Sequence, residues 1–77
     1  MEMDLFNKTD TTLVYIASTE FTKEITNGKN LHNFDVYIHV GHDKGSVTVY
    51  GDNDPKNVIP IDMSIRERIL KIAEKDR

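Results

Sequence analysis

The most regular alternation of hydrophobic and polar positions lies in the middle of the chain, over residues 34–50. The apolar residues of this stretch occupy every second position and are Phe34, Val36, Ile38 and Val40, then Val47 and Val49. Because successive side chains of a strand point to opposite faces, the pattern predicts two strands that are each buried on one side. Asp43, Lys44 and Gly45, between the two runs, are typical of a turn. We therefore expect a β-hairpin that forms the floor of the hydrophobic core.

The two faces of this hairpin also predict its register. The expected pairs are Gly41–Ser46, Val40–Val47, His39–Thr48, Ile38–Val49 and Tyr37–Tyr50. In this register one face of the hairpin is apolar and the other is polar. A shift by one residue would mix the two faces, which a half-buried sheet disfavours. The register predicts a four-residue loop, His42–Gly45, rather than a three-residue loop with a glycine bulge.

Residues 12–27 fit more than one structure. The β-branched residues at the start of this stretch favour a strand over about Thr12–Ser18. Apolar residues four apart, followed by Gly28, favour a short helix over about Thr19–Asn27. One continuous helix over residues 11–27 is the main alternative. A hairpin that turns at Asn27 and Gly28 is the other.

The clearest helical pattern is at the end of the chain. The apolar residues that share one face there are Ile65, Ile69, Ile72 and Ala73, with Leu70 at the edge. Ser64 and Glu67 match the capping-box pattern, so Ser64 is the expected N-cap. Lys75 and Arg77 suit the negative end of the helix dipole. We expect this helix to pack its apolar face on the hydrophobic side of the hairpin.

The remaining segments are polar and predict little regular structure. Residues 1–11 predict a loosely ordered lead-in, with Leu5 and Phe6 as its apolar anchors, and residues 29–33 a polar connection. Residues 51–60 predict a loop, in which Pro60 permits an edge strand but excludes a central one. The fold class is therefore α+β: one small domain over residues 1–77. We expect its elements in the order strand, short helix, β-hairpin and C-terminal helix, with that helix packed on a small antiparallel sheet.

Composition narrows the class of protein. A chain of 77 residues makes one domain with a thin core. It has no cysteine, so it has no disulfides or thiolate metal sites, and we expect it in the cytoplasm. The longest apolar run, Leu13–Ala17, is far too short to span a membrane, and the first residues lack the apolar core of a leader. No membrane association is expected.

The signals for metal binding and catalysis are weak. His39, His42 and Asp43 have metal-ligating side chains, and Asp52 and Asp54 follow in a nearby loop. A strand histidine and a turn histidine are not held together as two histidines on one helical face are, so no metal and no cofactor are expected. Nucleotide-binding and nucleophile motifs are absent, and acidic loop residues are usually solvated. A small metal-dependent or carboxylate-using enzyme is thus the alternative prediction.

The charge is unevenly distributed along the chain. Residues 1–62 have a balance of −5 and residues 63–77 a balance of +2, which gives −3 overall. An acidic body opposes binding to phosphate, so no direct contact with nucleic acid is expected. It favours instead a partner with a basic surface.

The polar face of the predicted hairpin is the candidate binding surface. Together with the acidic loop beside it, this surface comprises Asp35, Tyr37, His39, Thr48, Tyr50, Asp52 and Asp54. Tyrosine is enriched at protein interfaces, although tyrosine and threonine are also good strand formers that pair across a hairpin. We predict a non-enzymatic, cytosolic module that binds a larger protein, with homodimerisation through this face or a strand edge as a second form of partner. Its most specific form is a small acidic inhibitor or regulator of a nucleic-acid-processing protein, of the kind found among phage or mobile-element accessory proteins.

Overall fold

The chain forms a four-stranded antiparallel sheet and two helices, an α+β fold. The structure is a computed structural model, and it describes residues 2–28, 35–43, 45–52, 54 and 56–77. Within these residues the elements are β1 (Met3–Lys8), β2 (Thr12–Ala17), α1 (Thr19–Ile25), β3 (Val36–Gly41), β4 (Val47–Gly51) and α2 (Met63–Ala73), followed by a 3₁₀ turn (Glu74–Asp76). The strands lie in the order β1-β2-β3-β4, so that every neighbour in the sequence is a neighbour in the sheet.

The hydrophobic core lies between one face of the sheet and the two helices. Its buried members are Met3, Leu13, Tyr15, Ala17, Phe21, Ile25, Val36, Ile38, Val40, Val49, Ile65, Ile69 and Ala73. β2 and β3 contribute alternate residues to this core, β1 contributes Met3 and β4 contributes Val49, and each helix contributes residues spaced four apart, as strand and helix geometry require. Both helices therefore cover the same face of the sheet.

The hairpin predicted from the alternating pattern is confirmed, with the predicted register. Val40 pairs with Val47, and the remaining three pairs follow in step to Tyr37 and Tyr50. The N–H of Gly41 donates to the carbonyl oxygen of Ser46 at 2.8 Å. A Cβ at Gly41 would lie 2.9 Å from the Ser46 Cβ and closer still to the Asp43 carboxylate, so this position requires glycine. Phe34 and Lys44, which the prediction also used, lie outside the described residues, as do residues 29–33.

A strand followed by a short helix is confirmed for residues 12–27, and the two alternatives are wrong. Ser18 ends the strand and caps α1, because its hydroxyl oxygen accepts the N–H of Phe21 at 3.0 Å. The helix ends two residues earlier than predicted, in a Schellman motif. Asn27 and Gly28 have positive φ, and the Gly28 N–H donates to the Lys23 carbonyl oxygen at 2.7 Å.

The prediction of a loosely ordered lead-in over residues 1–11 is wrong. Residues 3–8 form β1, an edge strand that pairs with β2 along its length. Met3 is the single buried residue of this strand, whereas Leu5 and Phe6, the expected anchors, are 44% and 61% exposed. An edge strand with one buried side chain has no alternating apolar pattern, and the sequence therefore concealed it.

The C-terminal helix is confirmed, and its predicted apolar face is the face that packs on the sheet. Its predicted N-cap is wrong, because Asp62 rather than Ser64 accepts the N–H of Ile65, at 2.9 Å. At the other end, the buried Tyr15 hydroxyl donates to the Asp76 carboxylate at 2.5 Å. Burial, reinforced by that carboxylate, raises the pKa of Tyr15 well above its usual range.

The core assignment predicts which substitutions destabilise the fold. Ile38→Ala or Ile69→Ala should lower the free energy of unfolding by about 2–5 kcal/mol, since each removes a fully buried side chain and leaves a cavity. The matched control is Met63→Ala, which changes a side chain 65% exposed and should stay within about 0.5 kcal/mol. Urea unfolding measures both. An Ile38→Ala protein as stable as the control would contradict the assignment of the faces.

The correction of the N-cap can be tested directly. Asp62→Ala should lower the midpoint of thermal unfolding more than Ser64→Ala, because the Asp62 carboxylate accepts the Ile65 N–H in the first turn, while the Ser64 hydroxyl only donates to Asp62. These hydrogen bonds also lower the pKa of Asp62. A group whose pKa falls on folding stabilises above its unfolded pKa, so the difference between Asp62→Ala and the wild type should shrink as the solution is acidified through that carboxyl's range. Equal midpoints for the two variants would restore Ser64 as the cap.

Candidate functional site

The sheet face opposite the two helices is the candidate functional site, and we call it the open face. It comprises two rows of residues that run across the strands. The first row is Asp4, Ile16, Tyr37, Tyr50 and Val58, and the second is Asn7, Val14, His39 and Thr48. Directly opposed residues share a face of the sheet, so each row lies on one surface. Within the described residues, no helix packs on this surface.

Aromatic rings in contact form the centre of the open face. The Tyr37 and Tyr50 rings are stacked, with centroids 5.8 Å apart and planes at 12°. The Phe6 ring meets the Tyr37 ring nearly edge-on, at 5.8 Å and 86°. The His39 ring meets the Tyr50 ring edge-on at 4.8 Å and 75°. The rings therefore hold one another in fixed orientations without a covering helix.

Phe6 lies on this face at a β-bulge in β1. Leu5 pairs with Tyr15 and Asn7 pairs with Val14, so Phe6 is an extra residue between two ladder positions. It remains 61% exposed, and Val58 at the other end of the first row is 59% exposed. The open face thus has a large exposed apolar side chain on each side of the tyrosine pair.

Tyr50 is the most buried residue of the open face, and His39 is its hydrogen-bond partner. The Tyr50 side chain is 4% exposed although no described helix covers it. Its hydroxyl is hydrogen-bonded to the Nε2 atom of His39. Burial lowers the pKa of His39 below its ordinary value, and burial raises the pKa of Tyr50. Near neutral pH both side chains are therefore held uncharged.

The rim of the open face is acidic. Asp4 lies at the β1 end of the first row, and Asp35 lies one residue before β3, on the side of the strand that Tyr37 occupies. The Asp35 carbonyl oxygen accepts the N–H of Asp52 at 2.7 Å, which holds these two acids at the same corner. No lysine or arginine among the described residues occupies a strand position on this face; Lys8, in β1, pairs with Leu13 and so belongs to the helix side.

The basic residues of the C-terminal helix are partly used inside the molecule. Arg68 forms ion pairs with Glu2 and Glu24, and its guanidinium lies over the Phe21 ring, 5.0 Å from the centroid. The hydrogen bonds that its guanidinium donates to the Glu24 and Glu2 carboxylates raise the pKa of Arg68 further above its already high value. Arg66 donates to the carbonyl oxygen of Gly45. These two arginines therefore connect elements of the fold, on the side away from the open face.

The structure brings together most of the residues predicted from the sequence as a binding surface. Tyr37, His39, Thr48 and Tyr50 share the open face, with Asp35 and Asp52 at its corner. Asp54 is separate in its role, because its carboxylate accepts the N–H of Lys56 at 3.0 Å and closes a turn. Sequence reasoning missed Asp4, Phe6, Val14, Ile16 and Val58. The alternation of Val14 and Ile16 with Leu13 and Tyr15 was a signal for two of them.

Several of the residues considered for metal binding and catalysis make other contacts. The His39 Nε2 atom is bonded to Tyr50, and the His42 Nε2 atom lies 3.0 Å from the Thr9 carbonyl oxygen. The Asp62 carboxylate, in the loop before α2, caps that helix. Over the described part of the chain, no three histidine, cysteine, aspartate or glutamate side chains come close enough to hold a metal ion. None of the described helices is long and apolar enough to cross a membrane.

The buried position of His39 predicts a pH dependence of stability. Since the pKa of His39 is lowered on folding from 6.5, its contribution to stability is complete above about pH 6.5 and is lost as the pH falls through the lower, folded value. An NMR titration of the imidazole should give a pKa below 6.5. Urea midpoints should fall on acidification less steeply for His39→Gln than for the wild type. The control, His42→Gln, removes the other described histidine and keeps the His39–Tyr50 pair. A His39→Gln profile parallel to the wild type would contradict the assignment.

Searches among protein-family models, curated proteins and solved structures gave no match to this chain. The chemistry of the open face is therefore the basis for assigning a function. That face combines an apolar, aromatic centre with a polar and acidic rim, which is the composition typical of protein–protein interfaces.

Proposed function

We propose that this domain is a non-enzymatic protein-binding module whose open face docks on a basic surface of a larger protein. One observation carries the proposal: a contiguous aromatic and aliphatic patch lies on a sheet face that no described helix covers, and its rim is acidic. Exposed apolar patches rimmed by polar residues mark interaction sites more often than single exposed apolar residues do.

The centre of the open face supports a contact that is prepared before binding. Phe6 and Val58 are both more than half exposed, so a partner that covers them removes apolar surface from water. Tyr37 is already held between Tyr50 and Phe6 by ring contacts. Little side-chain entropy is then lost on binding, which favours aromatic residues as anchors of an interface.

The charges of the open face determine which partner surface it fits. Asp4, Asp35 and Asp52 place negative charge at its rim, and the described cations of α2 belong to the helix side. A basic partner is therefore attracted to this face and an acidic partner is repelled. Such complementarity mainly raises the rate of encounter and is screened by salt.

The partner of this proposal is a nucleic-acid-processing protein, and the module acts as its inhibitor or regulator. Basic protein surfaces commonly bind the phosphates of nucleic acids. A module that occupies such a surface with its own carboxylates excludes the nucleic acid from it. This interpretation requires that DNA or RNA compete with the module for the partner, and that the module alone bind neither.

Affinity capture from the native cell, followed by mass spectrometry, tests the proposal when it compares three baits. The wild type and Met63→Ala should capture the same larger protein, and the double variant Phe6→Ala with Tyr37→Ala should lose it. Met63 is a matched control because it is as exposed as Phe6 but begins α2 on the other layer. Each aromatic should contribute about 1–3 kcal/mol to binding, mainly through slower dissociation. Equal capture by all three baits would remove the open face from consideration.

Association kinetics across salt concentrations test the charge argument with the captured partner. Asp35→Asn with Asp52→Asn should slow association and flatten its salt dependence. Glu67→Gln with Glu74→Gln removes the same charge from α2 and its end, so it should leave both nearly unchanged. Equal effects of the two pairs would show that net charge, rather than the rim of the open face, steers the encounter.

A further inference from the structure

We propose that the open face recognises arginine side chains of its partner, with a guanidinium group lying over the Phe6 ring beside Tyr37 and paired with Asp4 and Asp35. This inference rests on the proposed function and specifies its chemistry. It concerns the kind of residue that the partner presents, namely arginine in preference to lysine or to an apolar side chain.

On the helix side of the molecule, one arginine of this chain is already bound by an aromatic ring and two carboxylates. The Arg68 guanidinium lies over the Phe21 ring, 5.0 Å from its centroid. It forms ion pairs with Glu2, just before β1, and with Glu24, in α1. One aromatic ring and two carboxylates from separate segments thus hold one arginine. The arrangement satisfies the face of the guanidinium through the ring and its edge through the carboxylates.

The open face carries the same set of groups, and none of the described lysines and arginines occupies a strand position on it. The Phe6 ring is mostly exposed, and Asp4 lies two residues before it in β1. Asp35 lies two residues before Tyr37, so their Cα atoms are about 7 Å apart along the strand. The Tyr37 ring contacts the Phe6 ring, which puts the Asp35 carboxylate beside this ring pair. Asp4 and Tyr37 are two strands apart in one row, which is about 10 Å. A guanidinium that lies over the Phe6 ring is therefore within reach of the Asp4 and Asp35 carboxylates.

Arginine fits this arrangement better than lysine for three physical reasons. Its guanidinium is planar and stacks on an aromatic ring, whereas an ammonium is a compact and strongly hydrated charge. Its fork of N–H donors can bind a carboxylate in bidentate geometry while its face stays on the ring. The ring itself is presented at low cost, because the contact with Tyr37 already orients Phe6.

A titration with two short peptides tests the inference on the intact protein. The probe is an acetylated and amidated five-residue peptide with two arginines separated by glycine, and its match has lysine at both positions. NMR spectra of the labelled protein should shift on adding the arginine peptide, saturably, at Phe6, Tyr37, Asp4 and Asp35. The lysine peptide should bind at least roughly fivefold more weakly. Equal affinity for both peptides, or shifts located on α2 instead, would overturn the inference.

Variants separate the ring from the charge. Phe6→Leu keeps an apolar side chain but removes the ring, so it should abolish the preference for arginine. Asp4→Asn with Asp35→Asn should weaken the arginine peptide at least roughly fivefold, while Glu67→Gln with Glu74→Gln, an equal change of charge on the helix side, should not. Unchanged spectra away from the substituted residues verify that each variant is folded. Equal losses for the two charge pairs would reduce the contact to net charge and overturn the site.

Failure of this inference is distinguishable from failure of the proposed function. A captured partner that depends on Phe6 and Tyr37, combined with no binding of the arginine peptide, would overturn arginine recognition and leave the binding module standing. Arginine-specific binding at the open face without a captured partner would support the recognition chemistry and count against the larger partner. Loss of both results would overturn both proposals.

Discussion

Burial of one face of the sheet is the constraint on which the rest of this structure depends. The chain is long enough for two helices, and both lie on the same side, because Phe21 and Ile25 of α1 and the Ile65–Ala73 stripe of α2 enter one core. The central strands β2 and β3 then present apolar residues to that side at alternate positions. The residues in between are committed to the other side, whatever their chemistry, since the period of a strand is two.

On the second face of the sheet, the open face, side chains pack against one another across the strands. Tyr50 is buried because Tyr37 stacks on it and His39 meets its edge and binds its hydroxyl. Cross-strand contacts of this kind stabilise a sheet locally and do not need a helix. The same contacts leave the outer parts of the cluster, above all Phe6, open to solvent. A surface that stabilises its own sheet and still has apolar area to offer is suited to binding.

The sequence predicted those elements in which the local pattern and the tertiary contacts agree. The hairpin register followed from coherent faces alone, and the apolar stripe of α2 followed from its spacing, because in both cases burial imposes a period that the residues display. The strand-and-helix reading of residues 12–27 was correct for the same reason. Tyr37, His39, Thr48 and Tyr50 could be assigned to one face because that face is the complement of the buried one.

The sequence did not predict features that depend on partners distant in the chain or on a local irregularity. β1 is held by its pairing with β2 and buries one side chain, so its polar composition resembled a disordered start. Phe6 follows Asp4 by two residues and so lies on the open face, while the bulge puts Asn7 on that face as well, and β1 displays no pattern that reveals either. The N-cap of α2 lies at Asp62 since the helix begins two residues earlier than the serine pattern indicated. No periodicity encodes any of these three.

The bulge in β1 affects two surfaces, the open face and the outer edge of the sheet. It inserts one residue into the outermost strand at the position of the exposed Phe6 ring, and the outer edge of the sheet loses its regular spacing of N–H and C=O groups there. A regular free edge is a template for pairing with another strand, and an irregular edge is not. A chain without this extra residue would have a regular β1 whose outer edge could pair with another strand. Its open face would lack the Phe6 ring. In the proposed function, this one residue supplies the exposed ring for the partner and makes the outer edge of β1 a poorer template for pairing with a second copy.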